Sequence, residues 1–420
     1  KYVILEVGQV GAYSYFCQSM TNDDFIKQHR HDDVRTLALR RAEEGVDVKW
    51  CLQQIEGWQK ACEKLPRWSQ VDGLWYPPAL SMEQCSSELT ARYKVTIVSR
   101  LLPECSERGC FADLTGGYGT DFSYIASLFA TSVYVERNAE LCRIAEHNFS
   151  LLKLVGSSVV CADSTEFLHQ RIAPCNLIYL DPARRDGVGR KTVAIADCTP
   201  DVVQLQGRLM EVGRYVMVKL SPMLDISAAL SVLEHVSEVH VVSVKGECKE
   251  LLFVLDKLYE GQPVYYAVNL GTSDQIFTCT HEEKNRALLR VASEHEASAC
   301  ATYIYEPHAS ILKAGLQDVL CERYAVEKLH PMSNLFVSPS PVLDFPGRGF
   351  EIVASCGFGK KELRAMLAGV AKANITVRNF PTSVAELRKK LRLAEGGDVY
   401  LFATTVADGS HRLIRCIKHG

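Results

Sequence analysis

Four short apolar runs, each closing on an acidic residue and each followed by a helical pattern, limit most strongly what this chain can fold into. They are "CFAD" ending at Asp113, "SVYVE" at Glu136, "SSVVCAD" at Asp163 and "NLIYLD" at Asp181. Strands alternating with helices imply a mainly parallel sheet in an α/β fold. Further strands follow in "RYVMVKL", "EVHVVSV" and "ELLFVLD", with a helix between Pro200 and about Met210. The last two strands read as a pair that inserts one strand antiparallel. Open α/β sheets bind ligands in a crevice outside the carboxyl ends of their strands. Four carboxylates at four strand ends therefore converge on one rim.

The first of these ends opens into "DLTGGYGTD". Gly116, Gly117 and Gly119 permit positive φ and close backbone approach to a ligand. The helix that follows offers free N–H groups to a carboxylate or phosphate. Glu136 lies 20 residues after Gly116, a placement that suits the two hydroxyls of a ribose. Such a loop serves a dinucleotide or S-adenosylmethionine. The dinucleotide fingerprint asks for a third glycine three residues after the second. Counted from Gly117 and Gly119, that position is Phe122. Asp163, with Ser164 beside it, suits an adenine amino group and suits equally the N-cap of a helix. Asp181-Pro182 presents a carboxylate on the same rim.

With 420 residues the chain is expected to hold two to four domains. Its formal net charge is -3, but the charge is uneven. Residues Pro341 to Gly420 hold 13 Lys+Arg against 7 Asp+Glu, a balance of +6, so the remainder carries -9. A basic C-terminal module fits a polyanionic partner, or simply a solvated helical face. The 16 cysteines include no C-x-x-C, and Cys105 and Cys110 are the closest pair. That spacing argues against a zinc ribbon or a disulfide scaffold and fits reduced thiols in a cytoplasmic protein. No stretch is long and apolar enough to span a bilayer. Glu6 and Gln9 interrupt an apolar, signal-like opening segment. Met20 is an alternative start, which sets residues 1–20 apart as an N-terminal extension.

The rest of the chain reads more coarsely. Residues from about 22 to 90 are helical by their apolar spacing, with a Pro/Trp-rich connector, "LPRWSQVDGLWYPPALS". Ser81 and Gln84 stand at capping-box spacing before a further helix. After Lys257, "VYYAVNL" and "QIFTCT" read as strands and "ASILKAGLQDVLCERY" as one helix. From about Pro339 the pattern is β-α-β-α-β-β, a small α+β module.

The order "DLTGGYGTD", "VER", "ADS", "YLDPARR" resembles a class I S-adenosylmethionine-dependent methyltransferase across roughly residues 90 to 257. Asp181-Pro182 resembles the Asp/Asn-Pro-Pro-aromatic motif of nucleic-acid amino-methyltransferases, which holds an exocyclic NH2. Ala183 and Arg184 stand in place of the second proline and the aromatic. A guanidinium stacks on a base or pairs with a phosphate. RNA 5-methylpyrimidine enzymes share Asp-Pro but need a cysteine after the fifth strand, where this chain has Leu220-Ser221-Pro222. That disfavours covalent C5 methylation. "VKLSP" is similar to a motif of ribosomal-RNA guanine-N2 methyltransferases.

"SSELTARYK", "DPARR", "YEPHASILKAGL" and "KLHP" together resemble a bacterial group of methyltransferases with a THUMP-like domain, from about residue 22 to the end. The resemblance implies a Rossmann-like, seven-stranded methyltransferase sheet over 91–257 behind a helical region over 21–90. It further implies a ferredoxin-like module over 258–337 and a THUMP-like module over 338–420. S-adenosylmethionine is the implied cofactor, held by Asp113, Thr115, Gly116, Gly117, Gly119, Glu136, Arg137, Asp163 and Ser164, and no metal is implied. Asp181, Pro182, Arg184 and Arg185 are the implied catalytic set. RNA is the implied partner, on Lys360, Lys361, Arg378, Arg388, Lys389, Lys390 and Arg392. Arg92 and Lys94 either border the site or are exposed helix charges. The rival readings are a methyltransferase for small molecules or proteins and a non-catalytic RNA-binding adaptor.

Overall fold

The computed structural model describes residues 20–40, 45–170, 174–184, 195–292 and 302–419. The proposed extension over 1–20 therefore falls almost wholly outside the described residues. The chain divides into two units, one of residues 1–181 with 211–214 and one of 182–210 with 215–420.

The first unit opens with α1 (Asn22–His29), α2 (Val34–Ala38), α3 (Val48–Lys64), α4 (Ala79–Gln84) and α5 (Glu88–Leu101). Thr21 and Asp24 form a capping box at the start of α1, and Asp33, Asp47 and Ser87 cap α2, α3 and α5. The box expected at Ser81 does not form. α4 starts behind Pro78 and stops at Gln84, and a new helix begins where the Ser87 side chain accepts from Thr90 N. A local side-chain cap at Ser87 thus wins over continuation of one long helix.

The connector between α3 and α4 is ordered by its aromatic residues. Trp68, Leu74 and Tyr76 share a core with Met82, Tyr118 and Ile144. Gln54 bonds the Tyr76 backbone in both directions, at 2.7 and 3.0 Å. Asn148 does the same for Trp75, at 2.8 and 2.9 Å.

Strand–helix alternation then follows as expected. It comprises β1 (Cys110–Asp113), α6 (Thr120–Ala126), β2 (Thr131–Glu136), α7 (Ala139–Leu151), β3 (Ser157–Cys161), α8 (Ser164–Gln170) and β4 (Cys175–Leu180). The strands lie in the order β4-β1-β2-β3, all parallel.

The second unit begins with the two-residue ladder of β5 (Ala183–Arg184) and β6 (Cys198–Thr199). After α9 (Val202–Val212) come β7 (Gly213–Leu220), α10 (Ile226–Leu230), β8 (Val236–Val244) and β9 (Glu247–Asp256). β9 lies antiparallel between β7 and β8, the inserted strand that the sequence predicts. With these elements the expected α/β, Rossmann-like class is present. β10 (Val264–Leu270) runs parallel to β8, and β11 (Gln275–Cys279) pairs antiparallel with β10. Both strands lie beyond residue 257, in the segment assigned on sequence to the ferredoxin-like module, yet they extend the sheet of β8.

α11 (His281–Arg286) leads to a second sheet. Its elements are β12 (Tyr303–Pro307), α12 (Ala309–Ala314), α13 (Gln317–Arg323), β13 (Glu327–Lys328) and β14 (Phe336–Ser338). They continue as β15 (Gly347–Cys356), α14 (Lys360–Met366), β16 (Asn374–Arg378), α15 (Val384–Leu391), β17 (Val399–Thr405) and β18 (His411–Lys418). The order is β13-β14-β12-β15-β18-β17-β16, with β16 and β17 parallel. The single helix expected over "ASILKAGLQDVLCERY" is two, because Gly315 takes φ +68 and ends α12 in a left-handed cap. The β-α-β-α-β-β reading of the last segment holds.

Candidate functional site

Strand register brings three of the four acidic residues together. Asp113, at the end of β1, pairs with Tyr134 on one side and Tyr179 on the other. Glu136 and Asp181 each lie two residues beyond those tyrosines. Residues two apart on a strand share a face, so all three carboxylates rise on one side of the rim. On the far side Glu136 pairs with Cys161, two residues before Asp163.

Hydrogen bonds join these ends. Asp113 Oδ1 accepts from Thr115 N at 2.9 Å, and Thr115 Oγ1 accepts from Asp181 N at 2.6 Å. Gly117 N donates to Glu136 Oε2 at 3.0 Å, and Asn138 N donates to Glu136 Oε1 at 2.8 Å. The Tyr134 hydroxyl donates to the Gly117 carbonyl. The glycine loop is thereby hung between β1, β2 and β4, with Gly117 at φ +55 and Gly119 at φ +82. Tyr118, inside the loop, turns inward and donates to the Trp75 carbonyl at 3.1 Å.

Gly116 is where this packing leaves no room. A Cβ there would lie 2.1 Å from the Tyr134 ring, which is fully buried. Gly116→Ala is expected to lower stability by about 1–3 kcal/mol, as overpacking does. A thermal melt within a degree of the parent would show that the ring yields freely.

The electrostatics are those of crowded, buried acids. Asp113 is 1% exposed, and burial holds its carboxyl well above the usual carboxylate range. The hydrogen bond from Thr115 opposes that shift, and the charges of Asp121, Asp181 and Glu136 add to it. A buried cation pairs with one of these acids. Lys94, 0% exposed, places Nζ 3.1 Å from Asp121 Oδ1. Asp121 Oδ2 also accepts from Ser86 Oγ and from the Tyr179 hydroxyl, each at 2.7 Å. Lys94 is therefore not an exposed helix charge but a buried one, paired with an acid that acts on Asp113, whereas Arg92 is exposed.

The remaining sequence-predicted residues are placed less centrally. Asp163 Oδ1 accepts from Thr165 N and Glu166 N, so it caps α8 as the structural alternative foresaw, and Ser164 opens that helix. Arg137 is exposed, and Pro182 is buried. The backbone of Arg184 pairs with Cys198, but its side chain and all of Arg185 lie outside what the structure describes. Among the predicted RNA-binding residues, Arg378 is engaged by the buried Glu306, which also holds Arg348. Arg388 donates to the Ala373 and Ala394 carbonyls, each at 3.0 Å. Lys360, Lys361, Lys389, Lys390 and Arg392 are exposed.

Sequence reasoning passed over Tyr134, Tyr179, Asp121 and Ser86. One signal for the tyrosines was available, since "YVE" and "YLD" both set a tyrosine two residues before the acid.

Comparison with known proteins adds an independent line. A family model described as a THUMP domain-like domain matches residues 347–418, and one described as a ferredoxin-like domain matches residues 303–346. A crystal structure from Porphyromonas gingivalis W83, provisionally described as a methyltransferase, superposes with a TM-score of 0.81 at 33% identity. The match covers 95% of this chain and 98% of that one. An rRNA methylase from Streptococcus thermophilus aligns with 40% of this chain and 96% of its own, at 10% identity and a TM-score of 0.31. A protein from Streptococcus mutans in complex with SAH, also provisionally a methyltransferase, aligns with 39% of this chain and 97% of its own. Its identity is 9% and its TM-score 0.30. The sequence matches no curated protein.

Proposed function

Because the chain belongs to the S-adenosylmethionine-dependent methyltransferases with a THUMP-like domain, we propose that it moves a methyl group from S-adenosylmethionine to RNA, at a base nitrogen such as an exocyclic amino group. The observation that carries this reading is the hydrogen-bonded line from Asp113 through Thr115 to Asp181. It ties a cofactor-type strand end to the Asp-Pro that would face a substrate.

The residues present fit the cofactor. Each Glu136 oxygen accepts one backbone N–H, which leaves lone pairs for the two ribose hydroxyls. The buried Asp113 carboxyl and its acidic neighbours favour a ligand that brings positive charge. Gly116, Gly117 and Gly119 keep the loop free of side chains where the methionine part would lie, with Thr115 at its edge. Asp163 and Ser164 would meet the adenine, and Arg137 would border it. Bound S-adenosylmethionine supplies an electrophilic methyl group on a sulfonium.

Asp181 would then do the work on the substrate side. Its backbone is fixed by Thr115, and its carboxylate would accept the hydrogens of an incoming amino group while the Pro182 carbonyl takes another. That aims the nitrogen lone pair and favours the positive charge that develops on it, so catalysis is chiefly orientation and electrostatics. Arg184 and Arg185 would grip the base or its phosphate. A paired target base would be splayed out of its helix to reach this rim. Lys360, Lys361, Lys389, Lys390 and Arg392 would hold the RNA backbone, with Arg378 and Arg388 bracing that module from within. A cytoplasmic setting is part of the proposal, in keeping with 16 scattered cysteines that include no C-x-x-C. No described helix is long and apolar enough to cross a membrane.

Nucleoside mass spectrometry of total RNA from cells with and without the gene tests the reaction. One methylated nucleoside should disappear with the gene and return with the protein. An unchanged nucleoside profile, together with no heat on titrating S-adenosylmethionine at millimolar concentration, would overturn the proposal.

A further inference from the structure

Three aromatic rings, two from loops and one from the start of a strand, meet at one end of the second sheet. Phe358 follows β15, Phe380 follows β16, and His411 opens β18 beside the end of β17. The Phe358 and Phe380 rings lie 4.9 Å apart at 31°, and Phe380 and His411 lie 5.0 Å apart at 71°. His411 is exposed, and the two phenylalanines are partly so. Lys390 Nζ stands 5.7 Å from the centre of the Phe358 ring. That contact sets the basic stretch 389–392 against the loop that immediately precedes Lys360 and Lys361.

The segments that carry these rings are held in place. Asn379 takes φ +49, and its carbonyl accepts from Thr405 Oγ1. Thr405 Oγ1 also meets His411 Nδ1 at 3.2 Å. Gly357 N donates to Glu362 Oε2 at 2.8 Å. The nearby acids are largely spoken for, since Glu362 takes that bond and Glu386 closes a capping box with Ser383. Phe358 and Phe380 pack against the core on one side and stay half-exposed on the other, beside the exposed His411 and the exposed lysines.

We propose that Phe358, Phe380 and His411 form a stacking platform for unpaired bases of RNA, with Lys390, Lys360 and Lys361 holding the adjoining phosphates. The inference deepens the reading above, because it rests on RNA being the substrate and names which form of RNA this module takes. Ring faces and a positive border are the chemistry of sequence-tolerant single-strand binding. Duplex RNA hides its base faces and would gain only the phosphate contacts. A pre-set platform also spares the entropy of ordering the rings on binding. The +6 balance of residues 341–420 supplies the matching charge.

The test uses the full chain and a fluorescein-labelled 20-nucleotide RNA of mixed sequence without secondary structure, titrated at several salt concentrations beside a duplex of the same sequence. The parent should prefer the single strand. His411→Ala and Phe358→Leu should each weaken single-strand binding about tenfold, with little change in salt slope. His411→Trp should bind at least as tightly as the parent, an outcome that a merely structural role does not give. Lys390→Gln should flatten the salt slope by about 0.7. Equal affinity for single strand and duplex would overturn the platform. So would ring variants that bind as the parent does. Should Phe358→Leu fail to fold by circular dichroism, the two His411 variants decide. The larger reading is scored separately by methyl transfer. Transfer with indifferent rings removes the platform alone, whereas ring-dependent binding without transfer removes the methyltransferase reading alone.

Discussion

Asp181→Ala should abolish most methyl transfer, with a loss of about a hundred- to a thousandfold in kcat, the scale on which a single charge-stabilising contact acts. The substitution removes the carboxylate but leaves the backbone of Asp181 anchored. Its N–H is held by Thr115 Oγ1, and that bond does not depend on the side chain. The glycine loop, hung from Glu136 and Tyr134, also keeps its supports. S-adenosylmethionine should therefore bind the variant within about threefold of the parent, far inside the roughly tenfold that 1.4 kcal/mol represents. Asp181→Asn keeps an oxygen acceptor and should retain intermediate activity. Single-turnover transfer to RNA and calorimetry on the cofactor separate the two effects. Transfer that survives Asp181→Ala would remove this carboxylate from the mechanism.

Lys94→Met should cost about 3–5 kcal/mol of stability, as does removing one partner from a buried pair. Methionine nearly matches lysine in length, so the lost quantity is charge and not volume. It takes the Lys94 charge away from Asp121, 8% exposed, which also accepts from two hydroxyls, beside a carboxyl at Asp113 that burial already pushes well above the usual range. Lys94→Met with Asp121→Leu should recover part of the loss, though not all, because Ser86 and Tyr179 then lack their shared acceptor. Urea titration followed by circular dichroism measures both, read at the first transition of this chain of two units. A loss below about 1 kcal/mol for Lys94→Met would mean that the pair is not energetically important.

The sequence made the rim of the first sheet readable because its signals are local. A strand's period, a glycine loop and a terminal acid all lie within ten residues, as Asp113, Glu136 and Asp181 demonstrate. Lys94 was not readable, because what buries it comes from Asp121, 27 positions later, and nothing in "ELTARYK" announces that partner. Ser81 and Ser87 both offer a helix start, and the structure uses the Ser87 cap, while α4 starts behind Pro78 and packs Met82 against Tyr76. Arg378 looked like part of a basic surface, yet Glu306, 72 residues earlier, claims its guanidinium. The assignment of Val264–Leu270 to a later module failed to anticipate its ladder with β8, since strand pairing over such separations leaves no periodic trace. Asp163 kept both its readings on sequence, and the structure realises the cap while leaving the adenine role as a proposal.

The Trp75 carbonyl accepts from Tyr118 in the glycine loop and from Asn148 on α7. On the ribosome, then, the helical segment emerges first but cannot finish folding until about residue 148 has followed it out of the exit tunnel. Its connector waits, with its aromatic surface open, for a sheet that is still being made. An excised sheet beginning at residue 91 would face the reverse problem, with the Tyr118 hydroxyl and the Asn148 amide both deprived of their acceptor. The helical region is thus less an appendage of the catalytic fold than the first half of a single cooperative folding event.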